Sequence, residues 1–582
     1  MIRVAFLFAA LLILTCSAAP EYDLVLRGGL VYDGTGTAPV RADVGVKNDR
    51  VVAIGDLSGA AARHDFDVAG LAVAPGFINV LSWAPLPLLQ DGRSSSDLFQ
   101  GITLEVCGEG WSEGPLNDSM RVKEVHDRDG VVLQEAPWIT LDEFLEYLVE
   151  RGVSCNVASF VGASTVREYV LGYENRAPTG EELARKSDLV RDAMTDGALG
   201  VASALIYTPG MYAGTEELVA LASVAAEYEG VYASHLRSEG NRLLEALDEF
   251  LHIVRESGAR GELYHLKASG RANWPKLELA IEKIEAARAE GLAVAADMYC
   301  YEAAWTGLDA SMPEWVLAGG NEAWYDRLDD PAIADRLEHE LRNPAPDFES
   351  FYRMAGSAEA VLLVGFKTKE YREYTGMTLA EVARKRGTSP ERAMIDLVRG
   401  DRSRIGTVYF VMSEENVERK VGLPFMSFGS DERSVVPEGK ALESHRHPRA
   451  YGNAARLLGH FVRDRGVVSL EEAVRRLTSF PARHLGIAER GEIRTGYHAD
   501  LVVFDPATIA DRATYAEPHQ LATGVRHVIV NGVPVIRDGV HTGALPGRVV
   551  RGPGYRGRGL GSAGRGLGSA ERGLGSAERE SR

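Results

Sequence analysis

Val231-Tyr232-Ala233-Ser234-His235 is an apolar run that stops on a histidine, and Gly261-Glu262-Leu263-Tyr264-His265 does the same. A third run, Phe425-Met426-Ser427-Phe428-Gly429-Ser430-Asp431, stops on an aspartate. Short β-prone runs that end in a metal ligand or a general base are the pattern of an α/β barrel, whose chemistry sits at the C-terminal ends of its strands. Outward from these runs, strands such as Val201 to Tyr207 alternate with helical stretches such as Thr215 to Tyr228 and Trp274 to Glu290. That alternation predicts a parallel sheet or a (β/α)8 barrel over residues 71–490. The stretch 306–356 breaks the rhythm and is expected to be an insertion over the barrel mouth.

The flanks have a different character. Asp23 to Gly34 reads as two short strands with a glycine turn, and Val51 to Asp56 as another. Near the other end, Ala499 to Asp505 and Val528 to Val535 are strand-like, the latter a hairpin turning on Asn531-Gly532. Strand-rich flanks around a βα core predict one small β-sandwich built from both termini, residues 19–70 and 491–550.

The ends of the chain are not expected to join this body. Residues 1–18 read as a secretory signal, with Arg3 as the positive start, Val4 to Leu14 as the apolar segment and small residues around Cys16-Ser17-Ala18 as the cleavage site. The apolar run is too short for stable membrane insertion. An exported protein, periplasmic or secreted, is expected; lipid anchoring through Cys16 is the lesser alternative, because Thr15 is a poor residue before such a cysteine. At the other end, a seven-residue unit beginning Arg-Gly-Leu-Gly-Ser-Ala starts at Arg558, Arg565 and Arg572. It carries too little apolar surface to fold, so 551–582 is read as a disordered tail.

Composition excludes some partners. The chain of 582 residues has a net charge of −19. Without the signal and the tail, 56 basic residues face 80 acidic ones, a body near −24. Such a charge disfavours nucleic acid and anionic membrane. Cys107, Cys155 and Cys300 remain, an odd and sparse set that makes no disulfide framework.

Two strand-end histidines point to a metal, and a zinc ion acidifies water enough to supply a nucleophile near neutral pH. A catalytic zinc takes three protein ligands and keeps one position open. His235 and His265 offer two. Glu109 and Cys107 are the candidates for the third, and period-two alternation puts both on one face of the preceding strand, with Glu105 further back. Glu109 is preferred because it is nearer the strand's end. Asp431 would take a proton from water and deliver it to the leaving amine; its bland alternative is a helix cap. His445 and His447 read as bland.

Several motifs then occur in a fixed order: Val73-Ala74-Pro75-Gly76-Phe77-Ile78, Ser234-His235-Leu236-Arg237-Ser238-Glu239, Tyr264-His265-Leu266-Lys267, Gly429-Ser430-Asp431, His447-Pro448-Arg449-Ala450-Tyr451-Gly452, Ala499 to Asp505 and His541 to Arg548. Together they resemble the N-acyl-D-amino-acid deacylases (D-aminoacylases) of the metal-dependent amidohydrolase superfamily, over Asp23 to Arg548. The resemblance implies a metal-bearing (β/α)8 barrel beside a small β-sandwich. It also implies that His235 and His265 hold zinc, that Asp431 is the catalytic aspartate, that Lys267 and Arg449 hold the substrate's α-carboxylate, and that Tyr207 lines that pocket. There are departures. Leu81 and Trp83 stand where a His-x-His pair would hold a second metal, Gly110 where the family has a bridging cysteine, and Ala163 where many relatives have a histidine. One zinc per chain is therefore expected.

Three functions stay open at this point. The first is a one-zinc deacylase acting on a small N-acyl-D-amino acid. The second is an amidohydrolase acting on a cyclic amide or small dipeptide. The third is a barrel that has lost catalysis and binds a small ligand. Asp431 argues against the third, and Lys267 with Arg449 favours an anionic substrate.

Overall fold

The computed structural model describes residues 21–556, apart from 124, 128, 129, 346 and 347. The signal segment and the repeats from Arg558 onward lie outside the described residues.

Eight parallel strands form a closed barrel: β1 (Phe77–Asn79), β2 (Ile102–Cys107), β3 (Asn156–Ser159, continued by Val161–Gly162), β4 (Gly200–Ala204), β5 (Val231–His235), β6 (Arg260–Leu263), β7 (Val294–Met298) and β8 (Met426–Phe428). Each pairs with the next, from β1–β2 to β7–β8. The ring closes just beyond β8. Ser430 N donates to Asn79 Oδ1 at 2.8 Å, and Asp431 N and Trp83 N donate to Leu81 O and Glu432 O at 2.9 Å each.

Side-chain alternation builds two layers. Ile78, Val80, Leu104, Val106, Ala158, Ala202, Ala233 and Tyr264 converge from six strands into the barrel interior. Residues of the opposite phase, such as Phe77, Val157, Val201 and Tyr232, pack under the helices. Those helices follow the strands as expected, including Thr215–Ala226 and Lys276–Ala289. Helix Gly180–Asp196 shows why its ends fall where they do. Thr179 accepts from Glu182 N while the Glu182 carboxylate accepts from Thr179 N, and Gly197, at φ +103°, stops the helix.

The two termini share a nine-stranded sheet wrapped over its own core of Leu24, Leu26, Val44, Val46, Val73, Leu501, Val503 and Ile529. Ala72–Pro75 pairs with Leu501–Phe504 and so joins the N-terminal part to the C-terminal part. That strand lies beyond the expected boundary at 70. The glycine pair at 28–29 is not a turn: Tyr22–Val31 is one strand with a bulge, where Gly28 takes φ +71° and its N–H bonds Asp43 Oδ1. Asn531-Gly532 does turn a hairpin, with φ of +48° and +80°.

Two further boundaries move. Residues 544–556 run back along the barrel instead of completing the sandwich, and 551–556 are not part of a loose tail. Val550 N donates to Val157 O, Gly552 N donates to Gly197 O, and Arg551 is ion-paired with Asp142 and Glu146. The basic residue finds the buried Asp142 and the half-exposed Glu146 on the helix Leu141–Arg151, which composition alone does not reveal. The insertion is also longer than 306–356. Ala303–Gly307, Val361–Gly365 and Gly406–Phe410 form an antiparallel sheet with a core of its own. Its strands and helices imitate the βα rhythm, which hid its far half.

Candidate active site

A cavity of about 330 Å³ opens at the C-terminal ends of the barrel strands. His235 closes β5, paired with Ala204, and His265 lies two residues past the end of β6. Both imidazoles are buried, perpendicular to each other, with ring centroids 4.5 Å apart. His265 sits at φ +32° and Asp431 at φ +48°, a left-handed backbone that non-glycine residues rarely adopt and that marks functional sites. The strain at His265 is held by Asp297, whose Oδ1 accepts its N–H at 2.9 Å.

Glu109 reaches the same place from the end of β2, with Oε1 3.1 Å from His265 Nε2. Ligand atoms of Glu109, His235 and His265 all lie within 4.8 Å of one another. Cys107 does not join them. Cys107 touches the cavity wall but packs with the core cluster under the helices, while Leu104 and Val106 belong to the cluster in the barrel interior. Glu105, one place out of phase with both, bonds Asn79. Cys107 and Glu109 nevertheless both line the cavity, as the alternation expects, while Gly108, at φ +105°, turns the chain between them. Gly110, at φ +69°, cannot carry the family's cysteine as the backbone stands: a Cβ there would meet the Ala204 Cβ at 2.6 Å.

Electrostatics fit a cation at these three residues. Burial pushes the His235 imidazole down to about 3, leaving it neutral and able to ligate. Burial and Lys267 push His265 down as well, yet Glu239 and Glu109 outweigh them and raise it to about 10. Burial and Asp431 raise the Glu109 carboxyl against the pull of His265. A pocket that draws a proton onto a buried imidazole has the negative potential a metal ion needs. The cavity wall carries five carboxylates, Glu109, Glu113, Glu239, Asp309 and Asp431, against the three basic side chains Lys267, Arg404 and Arg433. Two imidazoles and a carboxylate are a donor set suited to zinc.

Glu239, within a quoted motif but given no role from sequence, is the hub behind the site. Its Oε1 lies 2.5 Å from Lys267 Nζ, 3.1 Å from His265 Nδ1 and 3.6 Å from His235 Nδ1. Burial works against its charge, but Lys267 and the imidazoles hold its carboxyl well below the usual range. Lys267 also lies 2.8 Å from His265 Nδ1 and faces the Tyr299 ring, another residue the sequence reading passed over. Tyr207 is on the cavity wall, its ring edge-on to His235 at 5.6 Å and its hydroxyl 2.7 Å from Thr306 Oγ1.

Asp431 is on the wall as well. Arg449, expected from the resemblance to hold the substrate's α-carboxylate, is not among the lining residues and pairs with Asp431. Fully buried behind Asp431, it holds that carboxylate through Nη2 at 2.9 Å from Oδ2, with its guanidinium 4.3 Å from the Tyr299 centroid. The wall's basic residues instead include Arg404, brought by the insertion and paired with Asp309 at 2.8 Å. His447 is structural, as expected. Its ring lies 3.0 Å from Ala303 O through Nε2 and accepts from Arg449 N through Nδ1, and burial keeps it neutral.

Known proteins resemble this chain over most of its length. The amidohydrolase family model matches residues 427–536. The D-aminoacylase of Alcaligenes xylosoxydans xylosoxydans is 34% identical over 538 residues, 92% of this chain and 98% of that protein. The N-acyl-D-glutamate deacylase of Bordetella bronchiseptica, solved with zinc and a phosphonate mimic of the tetrahedral intermediate, superposes with a TM-score of 0.75. It is 31% identical and the match covers 91% of this chain and 99% of that one. A D-aminoacylase with a binuclear metal centre, activated by one metal and attenuated by the second, gives 0.74 at 33% identity, over 91% of this chain and 100% of that one. On this identity, coverage and shared fold, the chain belongs to the N-acyl-D-amino-acid deacylase (D-aminoacylase) family of amidohydrolases.

Proposed function

We propose that the protein hydrolyses the linear amide bond of small N-acyl-D-amino acids, releasing a carboxylate and a D-amino acid, with one zinc ion held by Glu109, His235 and His265. The observation that carries this reading is the meeting of those three ligand groups beside Asp431 in one cavity. When bound, zinc supplies Lewis acidity and an acidified water. Asp431 accepts a proton from the attacking water and returns it to the leaving amide nitrogen. Glu239 orients both imidazoles and offsets the charge of Lys267. Trp83, Trp111, Tyr207, Tyr299 and Trp305 line the cavity and favour an apolar acyl group or side chain. Lys267 and Arg404 lie on the same wall, where an anionic substrate would compete with Glu239 and Asp309 for them.

Support for a single metal comes from the end of β1, where Leu81 and Trp83 offer no metal-binding lone pair. The test is amine release from a panel of N-acyl-D- and N-acyl-L-amino acids with zinc present. Preferential release from D-substrates is expected. Failure on every member, with the metal confirmed in place, overturns the deacylase reading.

A further inference from the structure

The ends of β1 and β8 are joined by backbone bonds, Asp431 N to Leu81 O and Trp83 N to Glu432 O, both 2.9 Å. This joint brings the Trp83 ring onto the cavity wall beside Asp431. The indole Nε1 then donates to Asp431 Oδ1 at 3.1 Å, and Arg449 Nη2 approaches Oδ2 at 2.9 Å. Oδ1 thus accepts the indole N–H, while Oδ2 faces the Arg449 guanidinium in an ion pair and Arg449 Nη2 also donates to Asp431 O at 2.5 Å. We infer that Trp83 is a positioning residue for the deacylation proposed above, fixing the Asp431 carboxylate through its indole N–H.

An indole N–H donates and never accepts, so it can only engage the basic side of the carboxylate. A hydrogen bond to an ionised group is shorter and stronger than a neutral one, and here it sits at a cavity wall partly shielded from water. Asp431 also has φ +48°, so its backbone needs support from neighbours to keep the side chain aimed at the cavity. Each carboxylate oxygen has two lone pairs, so these contacts leave capacity to take a proton from water. The proton balance of the reaction is unchanged, since the indole keeps its own proton throughout. Trp83 fixes the angle at which Asp431 meets the substrate, which is felt in turnover more than in binding.

Two measurements test this independently. In the first, Trp83→Phe removes the donor while keeping an aromatic wall. It is expected to lower kcat about 10- to 100-fold, with KM within about twofold and zinc content unchanged. In the Asp431→Asn background the same substitution should add almost nothing, because its effect passes through the carboxylate. Should Trp83→Phe fail to fold, benzothienylalanine at position 83 keeps the bicyclic shape and lacks the N–H, and the same kcat loss is expected. A change confined to KM, or an equal loss in the Asp431→Asn background, overturns the inference.

The second measurement needs no activity. Indole 15N labelling reports the seven tryptophans of the chain, and the signal lost in Trp83→Phe is that of Trp83. It should move upfield in Asp431→Asn, where the acceptor is neutral. An unmoved signal shows that the contact is not made. A wild-type protein that cleaves no substrate, with this signal responding, refutes the deacylase reading and leaves the contact standing.

Discussion

Arg449 Nη2 lies 2.9 Å from Asp431 Oδ2 in an ion pair buried behind the cavity wall. The guanidinium thus braces the proposed proton carrier, and the resemblance alone had assigned it to the substrate. Arg449→Met is expected to lower kcat by roughly 10- to 100-fold and to cost about 3–5 kcal/mol of stability, since it strands a partly buried carboxylate. The loss should be the same for N-acyl-D-amino acids and for their C-terminal amides. A loss seen as raised KM for the acids alone would return Arg449 to the role of carboxylate clamp.

Glu109 and Cys107 both line the cavity, yet Glu109, not Cys107, brings its ligand atom together with those of His235 and His265. Glu109→Gln should abolish tight zinc binding, measured by elemental analysis after dialysis, while Cys107→Ser retains it. Retention in Glu109→Gln together with release in Cys107→Ser would mean that the turn at Gly108 does not aim Glu109 at the metal.

A second group of carboxylates gives a pH prediction. Asp97 and Glu105 are both buried and share Asn79 Nδ2, at 3.3 and 3.0 Å. Burial, with Glu432 adding to it and Ser434, Ser96 and Asn79 opposing, pushes Asp97 up to about 7. Burial and Asp97 push Glu105 well above its ordinary range. A group whose folded pKa is raised contributes stability that is full below its unfolded pKa and lost as pH rises through the folded value. Thermal melts should therefore show Asp97→Asn more stable than the parent at pH 8 and no more stable at pH 4. An equal shift at both pH values would contradict the raised pKa.

Much of the barrel and part of the site were legible because they depend on local order. His235, His265 and Asp431 each follow a short apolar run, and a strand carries its last residues to the same rim in every barrel. Glu109 is legible from its place near the strand's end, and the cavity has both Glu109 and Cys107 on its wall. What was not legible is non-local. Trp83 stood out only as a missing ligand, because its partner Asp431 is distant in sequence and meets it through barrel closure. Glu239 lay inside a recognised motif, yet its contact with both imidazoles depends on how the loop after β5 folds back. Arg404 arrives on the wall through an antiparallel sheet whose strands pair out of sequence order.

Asp431→Asn should depress turnover by on the order of 10²- to 10⁴-fold with zinc still bound. Paired measurement of kcat and metal content checks it. Full turnover in the variant would move the proton transfer to another residue.

The central claim is a deacylase that works with one metal, and titrating metal-free protein with zinc while following amine release from an N-acyl-D-amino acid tests it most directly. Activity is predicted to rise to a plateau at about one equivalent per chain and to hold there as more zinc is added. A maximum that requires two equivalents, or no amine release at any zinc concentration, would contradict it.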